Sequence, residues 1–243
     1  MNQHPFPPPS AALEARLADI RRRMQAACLA AGRAPASCRL LAVSKTRGAA
    51  EIAALTALGV RDFGENYVAE AMPKIGALAT GGGPAPAWHL IGPLQSNKTR
   101  EVAGHFDWVH SLDRERIARR LNDQRPDHLP PLNVCLQVNI DAEDSKSGLA
   151  PEAVPELARV VLDLPRLRLR GLMTIPRPGQ AGPGNAYERL ALALQSLAGT
   201  IAGPDAAGPD TLSMGMSDDF ELAIAHGATW VRIGTALFGP RNS

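Results

Sequence analysis

RLLAVSKTRGAAEIAALTALGVRDFGENYVAEAM, residues 39–72, holds the architecture in miniature. Residues 39–45 are a short apolar run that turns polar at its end, as a strand buried on both faces does. Ala49 to Leu58 has the spacing of a helix and is closed by Gly59. Val60 to Gly64 predicts a second short strand, and Tyr67 to Leu78 a second helix despite Pro73. Outward from this stretch the alternation continues. Upstream, residues 11–31 carry apolar residues at helical spacing, with Gly32 as the stop. Downstream, strands are predicted at 88–92, 107–112, 132–140, 167–175, 210–215 and 229–234. Helices are predicted at 97–103, 114–124, 154–162, 187–198 and 218–226. Strands alternating with helices imply parallel pairing through helical crossovers. Eight such units after a leading helix match a single closed (β/α)8 TIM barrel. An open doubly wound sheet is the alternative, weakened because no GxGxxG follows the first strand.

Composition narrows the function. The chain has 243 residues, 45% hydrophobic and 21% charged, as an ordinary globular protein does. Aromatic residues are only 4%, so Ala, Leu, Val and Ile must fill the core. The net charge of +2 argues against nucleic-acid binding by bulk electrostatics. No apolar run is long enough for a transmembrane helix. Residues 1–10 are Pro-rich, lack a signal-peptide pattern and read as a flexible tail before one domain, 11–243. Cys28, Cys38 and Cys135 fit no disulfide framework, which suggests a reducing cytoplasm. The six histidines show no metal-ligand pair, so no metal is expected.

Of the 26 basic residues, only Lys45, Lys74, Lys98 and Lys146 are lysines. Lys74 reads as a solvated helix residue. Lys45 ends the first strand, where alternation puts it on one face with Leu41 and Val43. Desolvation at a barrel rim favours the neutral amine, the form that attacks a carbonyl to make a Schiff base. A lysine that snorkels to solvent, or pairs with a carboxylate, is the competing reading. Gly234-Thr235, between the last strand and a short helical stretch, suits an anion, although a turn that needs Gly for its backbone angles explains it equally. Arg232 shares a strand face with Gly234 and faces either a pocket ligand or a structural carboxylate. Ser213 ends the seventh predicted strand near the proposed anion. Ser217 is a plausible N-cap, with Asp218 and Asp219 beside it in structural roles. Asn66, Tyr67, His89 and Gln95 lie near the same rim, with His89 read as a hydrogen-bonded core residue. Lys146, in DAEDSKSG (141–148), reads as an exposed loop lysine.

Seven blocks, LLAVSKT (40–46), FGENYVAE (63–70), WHLIGPLQSNK (88–98), NIDAEDSKSG (139–148), RGLMTIP (170–176), LSMGMSDDFELAIAHG (212–227) and VRIGTALFG (231–239), resemble the pyridoxal phosphate homeostasis proteins. The resemblance runs from about residue 13 to the C-terminus. It implies a barrel of pyridoxal phosphate fold type III, like the N-terminal domain of alanine racemase but without its C-terminal β domain. It implies pyridoxal 5′-phosphate (PLP) held covalently on Lys45, with Gly234, Thr235 and Ser213 at the phosphate, Arg232 near the pyridine nitrogen and Asn66 beside the cofactor. The implied role is intracellular vitamin B6 and amino-acid homeostasis without established catalysis. PLP-dependent apoenzymes are possible recipients, and a monomer is expected.

A PLP-dependent amino-acid racemase is the alternative. An Arg at the pyridine nitrogen disfavours its protonation and weakens the electron sink that racemisation needs. The alanine racemase pattern also takes a second base, a Tyr, from a C-terminal domain of the dimer partner. Tyr67 and Tyr187, the tyrosines of this chain, do not lie in such a domain. A Schiff-base aldolase acting on a phosphorylated sugar is a third reading.

Overall fold

The computed structural model describes residue 6 and residues 9–79, 85–143, 146–177, 179, 182–201 and 208–240. Most of the expected tail, much of the Gly/Pro segment at 80–86, residues 178 and 180–181, and residues 144–145 beside Lys146 lie outside them.

The described residues form eight strands. These are β1 (Arg39–Val43), β2 (Asp62–Glu65), β3 (Ala87–Leu90), β4 (Trp108–Leu112), β5 (Leu132–Gln137), β6 (Leu167–Met173), β7 (Thr211–Ser213) and β8 (Trp230–Ile233). A leading helix, α1 (Ala11–Ala30), precedes them. Between and after them run α2 (Ala49–Ala57), α3 (Val68–Ala79), α4 (Thr99–His105), α5 (Glu115–Gln124), α6 (Val154–Leu162), α7 (Ala186–Ile201), α8 (Phe220–Ala225) and the short α9 (Thr235–Phe238). The strands pair in sequence order, all parallel, and β8 closes on β1 with Leu41 opposite Arg232. The sheet is the closed barrel that the alternation predicts.

Strand alternation sorts the side chains into two layers. Outward residues such as Ala42, Phe63, Leu90, Val109, Val231 and Ile233 join the large apolar layer under the helices. Inward residues Leu41, Ile91, Trp108, Cys135, Met173 and Trp230 fill the barrel, with Val43 packed on them. Helix α1 and the turn that follows it strap the closing end. Arg16 Nε donates to Leu237 O at 2.7 Å and Arg33 Nη1 to Ile224 O at 2.7 Å, satisfying carbonyls at the ends of α9 and α8. Among the described residues no helix is long and apolar enough to cross a membrane.

Between β5 and β6 the register slips: Val134 faces Leu169, but Cys135 faces Gly171. The slip leaves Arg170 as the extra residue of a bulge. Gly171 has φ +154°, and a Cβ there would lie 1.9 Å from Thr211 O. Gly171→Ala should therefore force β6 and β7 apart and destabilise the protein by about 3 kcal/mol, read as a lowered urea midpoint. A midpoint equal to wild type would show that the barrel closes without this contact.

Candidate functional site

The inward face of β1 carries Leu41 and Val43, and Lys45 follows two residues past the strand end. Lys45 is half-buried, and among the described residues no hydrogen bond or ion pair reaches its amine. The carboxylate-paired reading of Lys45 is therefore not what the structure contains.

The backbone around Lys45 is clamped from outside the barrel. Ser44 N donates to Gly64 O at 3.0 Å, and Ser44 Oγ donates to Glu65 Oε1 at 2.6 Å. Lys74 Nζ, on α3, donates to Ser44 O at 2.9 Å and to Glu65 Oε1 and Glu70 Oε1 at 2.8 Å each. The Glu70 carboxylate also accepts the amide of Thr46, a β-branched residue held at φ 63°. Lys74 corrects the sequence expectation: it is buried, not solvated. Glu65 and Glu70 compensate its charge, and removing one partner would strand the others. Burial pushes the Glu65 carboxyl above its ordinary range, partly offset by Lys74, and Glu65 Oε2 is buried without a partner.

On β8, Trp230 and Arg232 point inward. The Arg232 side chain rises to the carboxyl-terminal ends of β6 and β7: Nη1 donates to Ser213 O at 2.6 Å and Ser213 Oγ at 3.0 Å, and Nη2 to Thr174 O at 2.7 Å. Among the described residues no carboxylate forms an ion pair with Arg232, which excludes the expected alternative of a structural Asp or Glu. Desolvation pulls its guanidinium down to about 10. Ser213 lies inside the barrel rather than among outward-facing amides. Its hydroxyl is shared between Arg232 and His110 Nδ1, the latter at 2.8 Å. His110 Nε2 lies 2.9 Å from His89 Nδ1, and His89 Nε2 lies 3.2 Å from Asp62 Oδ1. Burial lowers both imidazoles from the ordinary value of 6.5, His110 further, with the Arg232 charge adding to the effect of burial.

At the mouth, Asn66, Gln137, Asn139 and Lys146 contribute to a cavity of about 240 Å³. A Cβ on Gly92 would lie 2.2 Å from Asn66 O, so Gly is what lets the two rim loops touch. Lys146 is half-buried at this mouth and pairs with Glu143 at 2.5 Å; it is not the exposed loop lysine expected. Tyr67 is exposed, whereas Tyr187 is buried and donates to Asp219 Oδ2 at 2.7 Å. Asp219 also accepts from Met216 N at 2.7 Å and is the N-cap of α8, the position expected of Ser217. The structural role expected for Asp219 is thus what the geometry contains.

Gly234 precedes α9 with φ −111°, and a Cβ there would meet only ordinary contacts, the nearest Val43 Cβ at 3.5 Å. Neither positive φ nor protein crowding demands Gly at this turn, but its φ of −111° with ψ of −84° lies outside the regular helical and extended regions, so the backbone-turn reading stands beside that of ligand approach. The first amides of α9 lack intrahelical acceptors. An unpaired amine, a buried guanidinium without a counter-ion and open amides at one barrel end suit a ligand with a carbonyl, a ring acceptor and an anionic group.

Fold and site together define the barrel class found as the N-terminal domain of alanine racemases, and the family model "Alanine racemase, N-terminal domain" matches residues 12–242. The chain belongs to the family of the pyridoxal phosphate homeostasis proteins. It is 56% identical over 229 residues to the Pseudomonas aeruginosa protein of that name, covering 93% of this chain and 94% of that one. It is 53% identical over 228 residues to the Escherichia coli K12 protein, covering 93% and 95%. PipY of Synechococcus elongatus, solved with PLP bound, superposes with a TM-score of 0.77 at 35% identity, covering 93% of this chain and all (100%) of PipY. Alanine racemase of Clostridium difficile shares the fold, with a TM-score of 0.69 at 15% identity over 95% of this chain and 57% of that one.

The two buried imidazoles set a pH signature. Unfolded histidines take up a proton near 6.5, whereas these resist it, so the unfolded state binds more protons as pH falls. Stability should hold above pH ~7 and fall below pH ~6.5, at up to about 2.7 kcal/mol per pH unit for two sites. Urea midpoints from pH 7.5 to 5.5 measure it, and His110→Gln should flatten the slope. A profile already flat in wild type would refute neutral, buried imidazoles.

Proposed function

We propose that this protein binds pyridoxal 5′-phosphate covalently on Lys45 and holds it for intracellular vitamin B6 homeostasis, rather than turning over an amino acid. The observation that carries this reading is the Lys45 amine just past the end of β1, unpaired among the described residues, in the same barrel as a buried Arg232 that has no counter-ion among them. The support is the fit of residues to ligand: an amine for the aldehyde, the Gly234 and Thr235 amides for the phosphate, Arg232 for the ring nitrogen, and Asn66 at the rim. Ser213 contributes through Arg232, since its hydroxyl is already shared inside the barrel. When bound, the cofactor supplies an electrophilic aldehyde and a conjugated ring able to accept electrons.

The chain's own residues favour holding over catalysis. Arg232 at the ring nitrogen, already donating to Thr174 O and Ser213, has protons to give and no lone pair to take one, so the ring stays unprotonated. Tyr187 is engaged with Asp219, and burial raises its hydroxyl far above the range of a working base. A cytoplasmic setting agrees with free, buried Cys28, Cys38 and Cys135. Transfer of PLP to apoenzymes, by a monomer whose single domain spans 11–243 behind a short tail, completes the reading.

Purified protein loaded with PLP should be yellow. Borohydride should abolish the visible band and leave the added mass on the peptide containing Lys45. Lys45→Ala should lose that modification; labelling that moves to Lys146 at the mouth would make Lys146 the anchor instead. Stereochemical turnover of a free amino acid well above that of free PLP would overturn the non-catalytic reading in favour of a racemase.

A further inference from the structure

The interior contains a hydrogen-bonded line that cofactor holding alone does not require. It starts at the opposite end of the barrel, where Arg39 Nη2 pairs with Asp62 Oδ2 at 3.0 Å. From Asp62 it passes through His89, His110 and Ser213 to Arg232, with steps of 3.2, 2.9, 2.8 and 3.0 Å. His89, His110 and Ser213 have no solvent exposure (0% each), and Arg232 has 4%. His89 is held flat against Trp108, with ring centroids 5.5 Å apart and planes 5° apart, and the Trp230 ring lies edge-on to it at 5.1 Å. Neither ring can turn away without breaking this packing.

The ends fix the direction of every bond. The Asp62 carboxylate only accepts, so His89 Nε2 must carry a hydrogen. A neutral His89 then presents a bare Nδ1, which accepts from His110 Nε2–H. His110 Nδ1 is in turn bare and accepts the Ser213 hydroxyl proton. The Ser213 oxygen is left with lone pairs facing Arg232 Nη1, which only donates. The reverse order would set a bare His89 nitrogen against the carboxylate. A protonated imidazole would put a second cation beside Arg232 in a dry interior.

We infer that Asp62, His89, His110 and Ser213 are positioning residues, through which a carboxylate at one end of the barrel holds the Arg232 guanidinium aimed at the cofactor at the other. This rests on the reading of Arg232 as a cofactor contact. Two neutral rings keep Arg232 the only cation of the line's inner end. They also make Ser213 an acceptor toward it rather than a competing donor.

Two measurements test it. Long-range ¹H–¹⁵N NMR of the imidazoles in protein without PLP should find both His89 and His110 neutral, with hydrogen on Nε2. A charged ring, or hydrogen on Nδ1, overturns the line regardless of any cofactor. PLP dissociation constants and visible spectra are then compared for Asp62→Asn, Ser213→Ala and Arg232→Gln, with folding checked by circular dichroism. Asp62→Asn keeps the shape but removes the charge and offers a donor that permits the reverse order. Each of the first two variants should weaken PLP binding about tenfold, the worth of one hydrogen bond to a charged group, and move the band toward that of Arg232→Gln. Neither should add to Arg232→Gln in the double variant. If Arg232→Gln weakens binding while the other two bind with wild-type affinity and spectrum, the positioning role is wrong and the cofactor reading stands. If Arg232→Gln itself binds as wild type does, the Arg232 contact falls, and this inference with it.

Discussion

A guanidinium inside a closed barrel is the constraint around which the rest is arranged. Arg232 stands on β8, level with Leu41 of β1, and its charge is removed from water. An isolated charge in such a place is untenable unless its hydrogens find acceptors. Here the acceptors are the carbonyls of Thr174 and Ser213 and the Ser213 hydroxyl, all at the carboxyl-terminal ends of strands. These dipoles satisfy the hydrogens without neutralising the charge. The site therefore keeps a net positive potential where the ring and phosphate of the proposed ligand belong. A carboxylate beside Arg232 would have given a quieter interior and a poorer binding site.

The amine is prepared in the opposite manner. Lys45 is left unpaired, and all the polar reinforcement goes to its neighbours in the chain. Ser44 is held through its amide, carbonyl and hydroxyl, and Thr46 through its amide. The groups responsible, Glu65, Glu70 and Lys74, lie between the barrel wall and α3. A charged cluster thus stiffens the backbone on both sides of an uncommitted side chain. The backbone is fixed while the amine itself is left without a hydrogen-bond partner among the described residues.

Much of this was legible in the sequence, and the limit has a physical cause. Period-two alternation is a local property. It placed Leu41, Val43 and Lys45 on one face and Arg232 and Gly234 on another, and the barrel closes with Leu41, Val43 and Arg232 inward. The eight strands fall within two or three residues of their expected positions, because apolar runs and Gly stops are also local. What escaped depends on partners far along the chain. Lys74 reads as a surface residue until α3 is seen to lay it across Ser44 and Glu65, the former 30 residues away. His110 and Ser213 are 103 residues apart, and no local pattern announces their contact. Ser217 has the residue type of an N-cap, but α8 starts two residues later with Asp219 as its cap, a carboxylate that also receives Tyr187. In each case the missing information was cross-strand or helix-to-sheet register.

The two clusters also separate the functions that a PLP barrel must combine. Binding needs an aldehyde trap and an anion cradle, the roles proposed above for Lys45 and the Gly234–Thr235 turn. Catalysis needs, in addition, a protonated ring and a mobile base. In the proposed reading the first is opposed by Arg232, held in place from Ser213 and Thr174. The second is opposed by the tie of Tyr187 to Asp219. If the proposed reading holds, converting this barrel into a racemase would take more than adding a base. Exchanging Arg232 for a carboxylate, to protonate the ring, would leave Ser213 and the carbonyl of Thr174 without their donor. The line to His110, His89 and Asp62 would end on an acceptor with nothing to give it a hydrogen. The interior is committed to a guanidinium along its whole length, so the electronic character of the proposed site is a property of the barrel core and not of one replaceable side chain.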